Sequence, residues 1–133
     1  MDIEELIDNF AFFENWEEKY QYVIDLGRKL EPLDDKYKTD EWKVKGCQSQ
    51  VWLVPDFREA HIHFYGDSDA ILVKGIIAIV LTIYNDKTAD EIKNVDVLGI
   101  FAKLGLEENL TPSRRNGMMS MVEKIRLYAE NAE

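Results

Sequence analysis

Between Ala70 and Tyr84 the only charged residue is Lys74, and this stretch constrains the fold more than any other. A helix that is apolar all round has no face to offer water, so it must be enclosed by other elements or by lipid. A membrane span needs about 20 predominantly apolar residues. The longest apolar run here is Ile76 to Ile83, with Lys74 just before it. The segment therefore reads as a central buried helix around which the rest of the chain is arranged.

The flanking patterns supply the elements to cover it. Ile3, Leu6, Ile7, Phe10 and Phe13 recur at helical spacing, and a second helical pattern from Trp16 to Leu30 carries Tyr20, Val23, Ile24 and Gly27 on one stripe. Glu31-Pro32-Leu33-Asp34-Asp35 breaks it, and the two helices are expected to pack on each other, antiparallel or steeply crossed. Ser49 to Val54 suits a strand, Pro55-Asp56 reads as a turn, and Ala60 to Tyr65 alternates Ile62 and Phe64 against His61, His63 and Tyr65. Val44-Lys45 is a candidate start for the first strand, which leaves Cys47 in a short loop or bulge, with Gly46 allowing a sharp turn.

Gly66-Asp67-Ser68-Asp69 offers caps for the buried helix, and Thr88 with Glu91 reads as a capping box. Val97 to Leu104 reads as a short helix ending near Gly105. Thr111 and Pro112 then open a last helix with Met118, Met121, Val122, Ile125 and Leu127. The sum is an α+β chain, a small antiparallel sheet packed against several helices. Without repeats, low-complexity tracts or a dividing linker, residues 1–133 read as a single domain.

One cysteine cannot form an internal disulfide, nor an all-thiolate metal site, which needs about four ligands. A reducing, cytoplasmic setting is the simplest reading. The acidic start, Met1-Asp2-Ile3-Glu4-Glu5, does not resemble a signal peptide. A net charge of −10 opposes phosphate backbones and anionic lipid, so neither nucleic acid nor membrane is expected as a partner.

Cys47 is the first candidate for chemistry. Its neighbours Lys45, Gly46, Gln48 and Ser49 are not a core pattern; a nearby cation and several donors favour a thiolate. A Cys-His hydrolase would need His61 or His63 brought beside the loop. The His61-x-His63 pair could also bind a metal, although exposed strand residues are the better account of it. Asp67 and Asp69 read as helix caps in preference to an acid-base pair, and Met118, Met119 and Met121 as packing. Arg114 and Arg115 fall in or next to the first turn after Thr111, where the helix dipole disfavours cations by roughly 0.3–1 kcal/mol. A compensating negative group is expected, either a carboxylate of this chain or a functional anion.

Gly46-Cys47-Gln48-Ser49-Gln50-Val51-Trp52, Gly66-Asp67-Ser68-Asp69-Ala70 with Val73-Lys74-Gly75, and Leu110-Thr111-Pro112-Ser113-Arg114 with Asn116-Gly117 closely resemble the SufE family of sulfur acceptors. Asn15-Trp16-Glu17-Glu18-Lys19-Tyr20 resembles the same family, so the blocks span nearly the whole chain in order. The resemblance implies the fold shared with IscU-type scaffolds. It also implies a carrier that takes persulfide sulfur from a pyridoxal-phosphate cysteine desulfurase of the SufS or CsdA kind. The carrier would stimulate that enzyme, acting as its partner rather than as a stand-alone catalyst, and pass sulfur to a downstream acceptor or cluster scaffold for iron–sulfur assembly. Cys47 is the implied acceptor, and Gly46, Gln48, Ser49, Asp69 and Arg114 the implied loop-supporting or partner-binding residues. No cofactor or metal is expected on this chain, the pyridoxal phosphate belonging to the partner. Non-carrier activation of the desulfurase is the alternative, with Cys-His hydrolysis behind it.

Overall fold

The computed structural model describes residues 2–47, 49–106 and 110–131. Helices α1 (Ile3–Ala11) and α2 (Trp16–Arg28) lead into strands β1 (Val51–Arg58) and β2 (His61–Ser68) and the long helix α3 (Ile71–Tyr84). A two-residue strand β3 (Lys87–Thr88) precedes α4 (Ala89–Lys93), α5 (Val97–Leu104) and α6 (Pro112–Asn131). The expected α+β architecture is present: six helices and one antiparallel sheet, in the order β1-β2-β3, among the described residues.

Helix α3 is the axis of the core. Ile76, Ile77, Ile79, Val80, Leu81, Ile83 and Tyr84 are all buried along it, each burial of a large side chain stabilising the fold by about 1.5–3 kcal/mol. Its chief helical partner is α2, not the expected pairing of α2 with α1. The reason is backbone proximity: a Cβ on Gly75 would collide with the Val23 carbonyl oxygen, and one on Gly27 would lie 2.6 Å from the Gly75 nitrogen. Small residues on both helices let the two backbones touch. Helix α1 packs against α5 and meets α2 at an aromatic corner, where Tyr22 stands 5.1 Å from Phe10 and 5.2 Å from Phe13 between ring centres and its hydroxyl accepts from Asn9 Nδ2 at 2.9 Å.

The hairpin differs from the sequence reading at Pro55-Asp56, which lies inside β1 with Pro55 paired to Phe64. The turn falls at Glu59-Ala60, Glu59 taking a left-handed φ of 53°. Proline is tolerated because β1 is an edge strand, where a missing N–H costs no ladder bond. The other half of that edge is covered: the Val44 N–H donates to Val51 O at 2.8 Å, and the Leu53 N–H to Trp42 O at 3.0 Å. Val44-Lys45 is thus not the start of β1 but part of a separate segment lying along it.

Asp67 and Asp69 do not cap α3. Its N-cap is Ala70, with no side-chain cap bond, because strand β2 runs on through Ser68 and draws both carboxylates into other bonds. Asp67 pairs with Lys38 at 3.1 Å and Lys74 at 3.4 Å. The capping box is as expected: Glu91 N–H donates to Thr88 Oγ1 at 3.2 Å and Thr88 N–H to Glu91 Oε1 at 3.0 Å. Helix α6 is capped by Thr111, whose Oγ1 accepts from the Arg114 N–H at 3.2 Å. It buries Met118, Met121, Val122, Ile125 and Ala129, whereas Leu127 falls off this stripe and is exposed.

Candidate functional site

The segment bearing Cys47 is tied at its base. Beyond the Val44–Val51 bond, the Gln50 N–H donates to Asp69 Oδ1 at 3.1 Å, and the Asp69 N–H donates back to Gln50 O at 3.3 Å. Gly46 has φ of +92°, a conformation that an L side chain resists. A Cβ there would also lie 2.7 Å from Ser120 Oγ on α6. Gly46 therefore folds the loop inward onto that helix. The Cys47 thiol donates to the Gly117 carbonyl oxygen at 3.6 Å, and a Cβ on Gly117 would stand 3.4 Å from the sulfur. Gly117 thus supplies the acceptor, and the sulfur packs at contact distance over its Cα.

Cys47 is half-buried in the wall of a cavity of about 420 Å³, whose lining includes Ser49, Leu72, Val73, Arg114, Met118 and Met121. Burial pushes its thiol above the ordinary cysteine value. The thiolate expected from the sequence is thereby corrected for this conformation: the sulfur faces a carbonyl and apolar side chains. Lys45 lines a different space, an outer cleft of about 460 Å³ shared with Asp40, Lys43, Gly46 and Cys47. The cysteine is the partition between the two. Gln48 lies outside the described residues.

Arg114 is brought into the inner cavity from the first turn of α6. It also borders a small adjoining space of about 70 Å³ beside Trp16 and Tyr20. No carboxylate among the described residues pairs with its guanidinium, so the dipole penalty is not offset by an ion pair there. Arg115 is exposed and does not line the cavity.

The histidines are elsewhere. Val51, next to the loop, pairs with Ser68, while His63 pairs with Asp56; five residues along β2 is about 16 Å at strand rise. His63 is buried, with Nδ1 2.9 Å from Asp86 Oδ1 and Nε2 2.7 Å from Glu31 Oε1. The expectation that the His61-x-His63 pair is simply exposed on its strand therefore fails at His63. No histidine borders either space at Cys47, so the thiol has no imidazole base. Among the described residues no group of three or more His, Cys, Asp or Glu is arranged to hold a metal.

Sequence reasoning missed Gly117 as the seat of the thiol and Met118 and Met121 as cavity wall as well as packing. A signal existed: a glycine inside a helix costs about 1 kcal/mol relative to alanine, which asks for a packing reason. The partner across the fold was not readable, because Gly117 lies 70 residues from Cys47.

The family described as Fe-S metabolism associated domain, SufE, matches residues 4–129. The chain belongs to the SufE family. An uncharacterized SufE-like protein of Rhizobium meliloti (strain 1021) is 46% identical over 132 residues, covering 96% of this chain and 94% of that protein. A second uncharacterized SufE-like protein, from Rhizobium etli, is 48% identical over 132 residues, covering 96% and 89%. The solution structure of a hypothetical protein from Thermus thermophilus shares the fold with a TM-score of 0.79, at 18% identity, over 98% of this chain and 94% of that one. SufE membership supports a role in Fe–S metabolism and sulfur transfer, and implies interaction with a cysteine desulfurase. No described helix is long and apolar enough to cross a membrane.

Proposed function

We propose that this SufE-family protein accepts sulfane sulfur from a cysteine desulfurase onto Cys47, stimulates that enzyme by clearing its persulfide, and carries the sulfur towards iron–sulfur cluster assembly. The observation that carries this reading is that the sole cysteine sits on a glycine-turned loop at the wall of a cavity that also holds Arg114. In the transfer step, the Cys47 thiolate attacks the outer sulfur of the partner's persulfide. A new S–S bond forms at Cys47, the partner's S–S bond breaks, and the electron pair leaves on the partner's cysteine, with no net oxidation. Gly46 lets the loop swing out to the donor. On return, the persulfide enters the inner cavity, away from reductants, where the Arg114 guanidinium balances its negative charge. Ser49 lines that cavity and Asp69 anchors the loop's exit.

The test is mass spectrometry after incubation with a cysteine desulfurase and cysteine: one added sulfur on the wild type and none on Cys47→Ser. Cys47→Ala should bind the desulfurase but fail to stimulate it; retained stimulation would mean activation without carriage and overturn the carrier reading. Replacing both His61 and His63 should leave sulfur uptake intact. Arg114→Ala should fold normally and accept sulfur about 10-fold more slowly, the order expected for losing a charge-assisted contact of about 1.4 kcal/mol. Arg115→Ala should transfer normally, and equal losses at both positions would remove the specific role of Arg114.

A further inference from the structure

The outer cleft at Cys47 is basic in a protein that is otherwise strongly acidic. Lys43 is half-buried and Lys45 exposed along its lining, opposed among the described residues by the single carboxylate of Asp40. Neither lysine forms an ion pair among the described residues, whereas Lys38 and Lys74 on the neighbouring surface are both committed to Asp67. Among the described residues, the inner cavity contributes only Arg114 as a charged wall residue. A thiol seated against the Gly117 carbonyl has its proton donated inward; turned about Gly46 into the outer cleft, it would share that space with Lys43 and Lys45.

This arrangement answers a physical difficulty. Transfer between persulfide and thiolate brings together two sulfur centres that both carry or develop negative charge, on a protein of net charge −10. Without local countercharge, the protein's own field repels an anionic donor. We infer that the Lys43–Lys45 cleft is a binding site for the anionic sulfur donor, holding the partner's persulfide against Cys47 at the moment of attack. The inference rests on the carrier reading of Cys47 and adds to it a receiving station separate from the inner cavity. The lysines are positioning residues: they gather and hold charge, while the bond changes occur at Cys47 and the two donor sulfurs.

The first readout needs no desulfurase. Reaction of Cys47 with a disulfide follows the same displacement: thiolate attacks sulfur, a mixed disulfide forms, and an aryl thiolate leaves with the electron pair. Two probes differ in charge, the dianionic 5,5′-dithiobis(2-nitrobenzoate) and the neutral 2,2′-dithiodipyridine. Lys43→Gln/Lys45→Gln should slow the anionic probe about 3- to 10-fold at low salt and leave the neutral probe nearly unchanged. The wild-type preference should fade at about 1 M salt, where screening reaches down to about 3 Å. Lys43→Arg/Lys45→Arg should retain it and thereby exclude a folding defect, and Asp40→Asn should speed the anionic probe. Equal slowing of both probes, or no slowing of the anionic one, overturns the anion-receiving cleft. Sulfur uptake from a desulfurase, measured on the same variants, separates the two readings: normal uptake by wild type without probe discrimination sinks the cleft alone. Probe discrimination in a wild type that takes up no sulfur sinks the carrier reading and, with it, the persulfide as occupant.

Discussion

A thiol hydrogen-bonded to a helix carbonyl, as Cys47 is to Gly117, donates its proton inward, and ionising it would set a sulfur anion against the negative end of a carbonyl dipole. Burial acts in the same direction, holding the thiol above its ordinary value. The sign follows: protonated Cys47 favours the seated loop, that contribution is complete below the ordinary cysteine value, and it is lost as pH rises through the raised one. Alkylation by iodoacetamide should therefore be slow at neutral pH and inflect at higher pH than for cysteine in an unstructured peptide. An inflection at or below the peptide's would mean that the seat is rarely occupied in solution. Gly117→Ala, whose added carbon would meet the sulfur at 3.4 Å, ordinary van der Waals contact, should leave alkylation close to the wild-type rate. The sequence made the cysteine and its glycine legible, since both are local. It misjudged the thiol's environment, since adjacent residues such as Lys45 face a different space from the one the sulfur occupies.

Among the elements, the α2–α3 crossing is the least tolerant of change. Gly75→Ala gains about 1 kcal/mol of helix propensity, but its Cβ would collide with a backbone oxygen of α2, which no side-chain rotation relieves. Net destabilisation of about 2–3 kcal/mol is expected from forcing the helices apart, read as a lowered urea midpoint. An unchanged midpoint would show that the contact is slack. The helices themselves were legible because periodicity marks a buried face; it does not mark what that face meets, so α2 was assigned to α1. Pro55 misled for a related reason. A proline signals a turn locally, and only the sheet order shows that its strand lies at an edge where it is harmless.

Across the whole molecule, Asp67 joins the Lys38 segment, the end of β2 and the start of α3. Burial alone would raise its carboxyl, but the Ser68 N–H and the charges of Lys38 and Lys74 together outweigh it and leave the value below the ordinary 3.8. Its stabilisation is present above that ordinary value and is lost as pH falls through the lowered one. Asp67→Asn should lower stability at neutral pH and flatten the acid limb of the stability curve. A parallel shift of the whole curve would assign the loss to packing. The pinched base of the Cys47 loop has a consequence of another kind, for timing. With Val44 bonded to Val51 and Gln50 to Asp69, an excursion of the cysteine leaves the strand and its partners in place. Closing a loop of about 10 residues takes only about 10–100 ns, so a shorter tethered loop should change position far faster than proteins meet and part. The pace of delivery is then set by encounter, by bond exchange and by the fraction of time the loop stands open, not by the speed of the swing.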